Sequence, residues 1–529
     1  MNYYPDFFND VLGPVMQPGS SSHMAGPCRL GLLAHDLLGE NPDTIDFIMD
    51  SRGSFAGTFG LMNEDKGMLA GTLGFTPDDI RINEAYEIAK DNNIDIRFII
   101  SEIKESSHLN AIKFSLKGKS GKNTWLVGES TGGGMVSIRN IEGYEITSDD
   151  FKLIGDTYVI LIFENEINAG IKSKKLVQDI VDTKHFTQGL NSLTCIKTSQ
   201  APDINGLKII FPDIRIELLK PILPVVTTNY KRQQLFRTVS EWRNAAVKNG
   251  IGMSEAAIRY EIDSSLWPRE DVINYMYGIK ELLIRQIKAA YEHEHAPDNP
   301  FARCDTGIWE KYLQKESILS GGLMGHVVKR AIGVNFKTKG VPIVPGPMGT
   351  GGGYLFSALY SVKEQYGFSD EDLIRGLFIA AGIGAIAYTH TSPTGEIVGC
   401  GGECGVCCAM GSAAIVEMAG GNGEQIENAA SLALQSFIGL PCDPVPGGYE
   451  APCFSRAITA ACMAVVFADL ALAGSKAVIP FDEVLSALDS MGRKMPSELL
   501  CTSKGGCCAT PTAIEQEKRF KEWFKNKQI

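Results

Sequence analysis

The spacing of apolar and polar positions changes character twice along the chain and divides it into 1–150, 151–227 and 228–529. In the first stretch, short alternating runs such as Asp43-Thr-Ile-Asp-Phe-Ile-Met and Asn110-Ala-Ile-Lys-Phe-Ser-Leu predict half-buried strands, and the period over Arg81 to Asn92 predicts a helix. An α+β domain is expected there. The middle stretch reads as a strand (Thr157 to Phe163), an amphipathic helix (Lys172 to Asp182) and two extended pieces (Leu193 to Thr198, Leu207 to Phe211). That βαββ order suits a small α/β regulatory module.

From about residue 229 the texture turns helical, with apolar periods over Gln233 to Lys248, Glu255 to Glu261, Asp271 to Tyr291, Asp370 to Tyr388, Gly411 to Ala419, Ile426 to Phe437, Ala457 to Ala473 and Phe481 to Met491. Glycine-rich joints, among them Ser320-Gly-Gly, Gly349-Thr-Gly-Gly-Gly and Cys400-Gly-Gly-Glu-Cys, separate these periods. An all-helical domain with its chemistry in the loops is predicted. No fixed-period repeat or low-complexity tail interrupts it.

Composition narrows the partners. The 529 residues are 44% apolar and carry 50 basic against 62 acidic side chains, a formal charge of −12 without a long basic run. Such a balance argues against nucleic acid or an anionic membrane and for a small-molecule partner. The opening Met-Asn-Tyr-Tyr-Pro-Asp-Phe-Phe lacks the basic and apolar regions of a secretory signal, and the later apolar stretches read as too short or interrupted to span a bilayer. A cytoplasmic location is expected, with a homodimer as the base-rate assembly. Thirteen cysteines, an odd number, then read as thiols or metal ligands rather than a disulfide framework.

Eleven of those cysteines lie beyond residue 300. Cys400, Cys442 and Cys453 stand beside glycine or proline in predicted loops, where the backbone can approach a bulky centre closely and hold its shape. Three thiolates suit an iron–sulfur cluster with one iron open to another ligand. Spacing alone leaves two rivals. Buried free thiols are common, a reading that suits Cys28, Cys195, Cys304 and Cys462, and a tetrahedral zinc site could draw on Cys400, Cys404, Cys407 and Cys408.

The surrounding motifs decide between them. Gly395-Glu-Ile-Val-Gly-Cys-Gly-Gly-Glu-Cys-Gly, Gly439-Leu-Pro-Cys-Asp-Pro-Val and Ala451-Pro-Cys-Phe-Ser-Arg resemble, in order and spacing, the signature of the iron–sulfur L-serine dehydratases. Ser320-Gly-Gly-Leu, Pro347-Met-Gly-Thr-Gly-Gly-Gly and Met495-Pro-Ser-Glu-Leu, running into Gly505-Gly-Cys-Cys-Ala-Thr-Pro-Thr, extend the resemblance over most of 230–515. The N-terminal part resembles the family's β component, here fused in front: Ser20-Ser-Ser-His-Met-Ala-Gly-Pro, His108-Leu-Asn and Ser130-Thr-Gly-Gly-Gly carry that similarity. Residues 152–225 stand where some members carry an amino-acid-binding ACT domain.

The resemblance implies a [4Fe-4S] cluster on Cys400, Cys442 and Cys453, and a lyase that removes water from a small β-hydroxy amino acid, L-serine first, to give pyruvate and ammonia. It leaves three roles for side chains: a base, a carboxylate anchor and a dry pocket. For proton transfer the candidates are His23 and His108, followed by Lys329, His326 and His390; each could equally tie its loop in place. For the substrate carboxylate they are Ser20, Ser21 and Ser22, Ser320 and Gly321, and Thr350, Gly351 and Gly352, whose serines and glycine-rich turns could instead cap or pack helices.

Three segments depart from the family pattern. Gly60-Leu-Met-Asn-Glu-Asp stands where a GHGTD stretch is usual, Pro347-Met-Gly-Thr-Gly-Gly-Gly replaces PTNGAAG, and His390-Thr-Ser-Pro-Thr-Gly replaces NASISG. Other small substrates therefore remain as alternatives: cysteine with release of sulfide, threonine, or an amino acid bound without turnover.

Overall fold

The computed structural model describes residues 4–60, 62–146, 150–165, 176–226, 233–292, 301, 305–315, 317–347, 349, 351–445 and 451–527. They form two compact units, one of Ser22–Gln233 and one of Pro5–Ser21 with Gln234–Ile529.

The first unit opens with helix α1 (Gly26–Leu38), followed by β1 (Pro42–Asp50), α2 (Ser54–Thr58), α3 (Glu64–Thr72), α4 (Ala85–Asp91), β2 (Asp95–Ser101), β3 (Ala111–Gly118), β4 (Asn123–Gly132), β5 (Met135–Ile141) and β6 (Tyr144–Glu145). These strands make one sheet in the order β2-β1-β3-β4-β5-β6, in which only the β1–β2 pair is parallel. Alternation explains β1: Ile45, Phe47 and Met49 are buried, and Phe47 pairs in register with Phe114 of β3 and stacks on Phe98 of β2 at 5.0 Å. The strands expected at residues 43 and 110, and the helix expected at 81, are all present, the last beginning as a 3₁₀ turn over Ile80–Glu84.

The second sheet of this unit contains β7 (Tyr158–Glu164), β8 (Ile180–Gln188), β9 (Asn191–Thr198) and β10 (Arg215–Leu219), with α5 (Ile204–Ile210) before the last strand. All pairings are antiparallel and the order is β10-β7-β9-β8, the 4-1-3-2 arrangement of a split βαβ sheet. Its core is Ile160, Ile162, Ile196, Leu207 and Ile216. Two expectations change here. Of the helix expected over Lys172 to Asp182, residues 172–175 lie outside the described residues, while Ile180 to Asp182 open β8, where β-branched Ile180, Val181 and Thr183 fit the pleat better than a helix. The run Leu207 to Phe211, expected to be extended, lies largely in α5: the Asp203 carboxylate caps the helix by accepting from Gly206 N at 2.9 Å, so Leu207 turns into the core while Ile209 faces solvent.

The second unit is helical: α6 (Val239–Lys248), α7 (Met253–Ser265), α8 (Arg269–Glu292), α9 (Thr306–Leu313), α10 (Gly321–Phe336), α11 (Gly351–Tyr366), α12 (Asp370–His390), α13 (Gly395–Val398), α14 (Cys400–Met418), α15 (Gly423–Gln435), α16 (Cys453–Leu472), α17 (Phe481–Gly492) and α18 (Pro511–Lys527). Its centre is α14, packed against α12, α15 and α16 and buried along nearly its whole length. A helix apolar all round must sit inside others. Two helices, α12 and α16, do reach the length and apolarity of a bilayer span, contrary to the sequence reading; 78% of the α12 window is buried within this chain.

Pro5–Ser21 completes this unit. Phe7 stacks on Tyr260 with ring centroids 5.0 Å apart, Phe7 N donates to Glu261 Oε2 at 2.8 Å, and Met16 bridges to Ile343.

Candidate functional site

The thiols expected to act together do converge in the second unit. Cys400 is the first residue of α14 and Cys453 the first residue of α16, so both lie at helix N-termini rather than in the loops predicted for them. The correction has a chemical meaning, because a helix N-terminus presents free N–H groups and partial positive charge that favour a thiolate. The Cys400 thiol contacts that of Cys453, and Cys404, one turn further along α14, lies 3.3 Å from Cys400.

Cys442 stays in an irregular stretch, but a firmly held one. Its N–H donates to Leu499 O at 2.9 Å and its carbonyl accepts from Cys501 N at 2.8 Å. This pairing sets the Cys501 thiol against that of Cys442. Cys501 is buried and adopts a left-handed backbone with φ +60°, a conformation non-glycine residues take only when their surroundings impose it. Nothing in the cysteine spacing singled it out.

Glycines make room for this arrangement. A Cβ at Gly395 would lie 2.5 Å from Cys442 Sγ, and Gly399, at φ +71°, would drive one into Leu440 O. Arg456 ties the second thiol to the third: from α16 its Nη1 donates to Pro441 O at 2.8 Å and to Asp443 Oδ1 at 2.7 Å, while Asp443 Oδ2 accepts from Cys507 N at 2.7 Å. The Asp443 side chain is 2% exposed and that of Arg456 17%, so the pair is largely dry.

As thiols these cysteines are poor anions. Cys400 is held well above the usual thiol range by the adjacent Cys404 thiol, by burial and by Glu403. Cys442 is raised by Cys501 and by burial, again with Glu403 nearby. A cationic centre would reverse this balance by stabilising thiolates. The donor set is therefore soft, with Cys400 and Cys442 buried and Cys453 half-buried, and an iron–sulfur cluster fits it. The four-cysteine zinc alternative is not assembled: Cys407 donates to Gly351 O at 3.3 Å, with burial pushing its thiol up to about 12, and Cys408 lies beside Cys462. Cys28 and Cys195 are buried thiols raised by desolvation, and Cys304 lies outside the described residues.

The expected anchor residues divide into separate groups. Ser20 and Ser21 pack against Gly349, where an added Cβ would meet Ser21 N at 3.0 Å, and Lys337 Nζ reaches Gly19 O at 3.5 Å. Gly351 and Gly352 begin α11, pressed against the carbonyls of Gly346 and Val344; Thr350 lies outside the described residues. Ser320 and Gly321 open α10 in exposed positions. Lys329 pairs with Glu310 at 2.8 Å and lies over the Tyr291 ring, His326 is exposed, and His390 donates from Nε2 to Arg237 O at 2.9 Å.

In the first unit the two histidine loops are joined. A π-helical turn over Ser21–Ala25 leads into α1 and buries His23 completely. Ser22 Oγ contacts His23 Nδ1 at 3.0 Å, and Ser54 Oγ contacts His23 Nε2 at 2.8 Å. Ser54 N donates to Leu109 O at 2.7 Å, Ser130 N donates to Asn110 O at 3.0 Å, and Ser130 Oγ donates to Ser22 O at 2.7 Å. The result is a closed ring through His23, Ser54, the 109–110 turn, Ser130 and Ser22. His108 borders it, with Nδ1 accepting from Asn110 N at 3.0 Å, which leaves Nε2 as the nitrogen bearing the proton in the neutral ring. Ser54, which the sequence reading did not select, is the direct partner of His23.

In the segment that departs from GHGTD, Glu64 is the first residue of α3, wholly buried, with Oε2 accepting from Met62 N at 2.8 Å. Burial, followed by the neighbouring Asp65, pushes its carboxyl up to about 8.

The helical core and the thiols within it lie in a stretch whose relatives belong to the dehydratase class of lyases. Residues 178–508 match the family model for the serine dehydratase alpha chain. A probable L-serine dehydratase alpha chain of Bacillus subtilis is 33% identical over 287 residues, covering 54% of this chain and 95% of the relative. The corresponding protein of Latilactobacillus sakei is 38% identical over 193 residues (36% of this chain, 92% of the relative), and the L-serine dehydratase alpha chain of Peptoniphilus asaccharolyticus 34% over 203 (37% and 70%). The chain belongs to the L-serine dehydratase alpha chain family.

Proposed function

We propose that the chain is a [4Fe-4S]-dependent lyase that removes water from L-serine to give pyruvate and ammonia, with Cys400, Cys442 and Cys453 holding the cluster. The convergence of these three thiols within the region matched to the family carries the proposal. When bound, such a cluster supplies Lewis acidity for the departing hydroxyl. The protein's share is to hold the substrate, take its α-proton and keep water out.

Burial of Cys400, Cys442 and α14 gives the dry surroundings in which fixed charges act most strongly. The base is assigned to His23, whose two ring nitrogens face serine hydroxyls, groups that donate or accept as the proton moves. His108 is the second candidate. Ser20 and Ser21 beside Gly349 are assigned to the substrate carboxylate; Ser22 serves the His23 ring, and Gly351, Gly352 and Lys329 act as supports. Ser320, Gly321 and Thr350 are assigned to further substrate contacts.

The first sheet is read as the family's β-type part fused in front, and the 4-1-3-2 sheet as an ACT-like regulatory module. A cytoplasmic homodimer completes the reading. Anaerobic reconstitution with iron and sulfide should give a broad brown absorbance that fades in air, and the brown protein should form 2-oxo acid from serine faster than from threonine or cysteine. A colourless product, or turnover without iron, overturns the proposal.

A further inference from the structure

We propose that Glu64 is a positioning residue for His23, holding Ser54 against the imidazole ring through Thr58; this rests on the reading of His23 as the base. Close packing brings Glu64 to that ring. Gly67, three residues further along α3, lies against the residue that follows His23: a Cβ there would meet Met24 O at 2.3 Å. Ser54 and Thr58 open and close α2, at the i, i+4 spacing that puts both on one face. Ser54 Oγ contacts His23 Nε2 at 2.8 Å, Thr58 Oγ1 donates to Ser54 O at 3.0 Å, and the Thr58 hydroxyl stands beside the Glu64 carboxyl. All four residues are buried.

Counting donors gives the last contact its direction. Glu64 Oε2 accepts from Met62 N at 2.8 Å, so the proton of the neutral acid, the form that burial favours, falls to Oε1. Oε1 is buried and has no hydrogen-bond partner among the described residues, a state that calls for an acceptor nearby. Thr58 is that acceptor. Its one proton is committed to Ser54 O, which leaves its lone pairs free for Oε1–H after a small rotation of the carboxyl. An ionised Glu64 would turn a second acceptor on Thr58 and push α2, with Ser54, away from His23. The other titratable groups packed around α3 are engaged elsewhere: Tyr86 donates to Asp65 Oδ2 at 2.8 Å, Arg81 pairs with Asp79, Arg29 Nη1 donates to Gly134 O at 2.8 Å and His35 Nδ1 contacts Thr72 O at 2.9 Å. Glu64 lies in the segment that departs from GHGTD, so the device belongs to this chain rather than to the pattern it departs from.

Four variants of the reconstituted full chain test the assignment. Glu64→Met keeps the bulk and removes the donor; it should lower kcat for serine about tenfold with KM nearly unchanged. Glu64→Gln, whose amide both accepts from Met62 N and donates to Thr58, should restore kcat to within about twofold of wild type. Thr58→Val should match Glu64→Met, and the double variant should lose no more than either single change, because both act on one contact chain. In the apoprotein, isotope-edited NMR of the histidine rings reads position without turnover. The His23 signals, identified by their loss in His23→Gln, should shift in Glu64→Met and Thr58→Val and hold in Glu64→Gln. Unmoved His23 signals in Glu64→Met, a Glu64→Gln as impaired as Glu64→Met, or fully additive losses overturn the proposal. If Glu64→Met does not fold, Thr58→Val decides by the same two readouts, a fall in kcat with shifted ring signals supporting the proposal and either one unchanged overturning it. His23→Gln turning over serine at the wild-type rate strikes instead at the reading of His23 as the base.

Discussion

The two units hold their chemistry by different means. In the helical unit the thiols sit on rigid elements: Cys400 and Cys453 open long helices, the first of them buried along nearly its whole length, and Cys442 is clamped to the 499–501 segment by backbone bonds. In the first unit, turns carry His23 and His108, and a ring of serine hydroxyls and carbonyls closes around them. A metal group needs donors that stay where they are. A proton acceptor needs neighbours that can reverse their hydrogen bonds, which serines do and cysteines on a cluster do not. The contrast predicts that variants will separate cleanly by readout.

The largest effect is expected from Cys442→Ser, which should lose both the brown absorbance and serine turnover, falling to background in a 2-oxo acid assay; unchanged activity would remove Cys442 from the ligand set. Next comes His23→Gln, expected to lower kcat by about 10² to 10⁴-fold while leaving cluster absorbance and KM nearly intact. Loss of colour there would erase the distinction between the units. Ser54→Ala should follow it in direction with a smaller loss, shifting the pH profile of kcat.

Arg456→Ala should cost about 3 kcal/mol, because it leaves Asp443 buried without its cation. Chemical denaturation of the apoprotein measures that cost, and lowered iron uptake should accompany it. The last expected effect is a slope with pH rather than a loss, and concerns Glu64. Its folded carboxyl titrates near 8 against an unfolded value of 4.5, so the folded state holds an extra proton between those limits. Stability contributed by the protonated group is therefore complete below about pH 4.5 and declines as pH rises toward 8, by up to about 1.4 kcal/mol per pH unit. Glu64→Gln should flatten that slope in denaturation series run across the window. An unaltered slope would mean that another group sets it.

Local pattern carried much of the architecture. The helical periods beyond residue 229 correspond to helices because each has one or more faces to bury, and β1, β3, β7 and β9 announced themselves by apolar content. What escaped were features decided by distant partners. The strand character of β8 and β10 depends on pairing with β9 and β7, and α5 depends on a capping carboxylate that outweighs a β-rich composition. The site follows the same rule. Cys400, Cys442 and Cys453 were legible through the motifs around them, whereas Cys501 falls between two recognisable stretches and gains its meaning only from pairing with Cys442. Ser54 lies 31 residues from His23 in a short helix whose composition carries no catalytic signal.

Pro5–Ser21 imposes a schedule on synthesis. Phe7 and Tyr260 are bound to partners 254 and 255 positions away, Phe7 N to Glu261 and the Tyr260 hydroxyl to Pro5 O. At ribosomal speeds of about 5–20 residues per second, roughly 10–50 s pass between the emergence of Phe7, Phe8, Val11 and Leu12 and that of the helices that cover them. During that interval the newborn chain exposes a greasy segment that it cannot yet bury, an opening for chaperone capture. A segment made well before its partners is among the last to find its place.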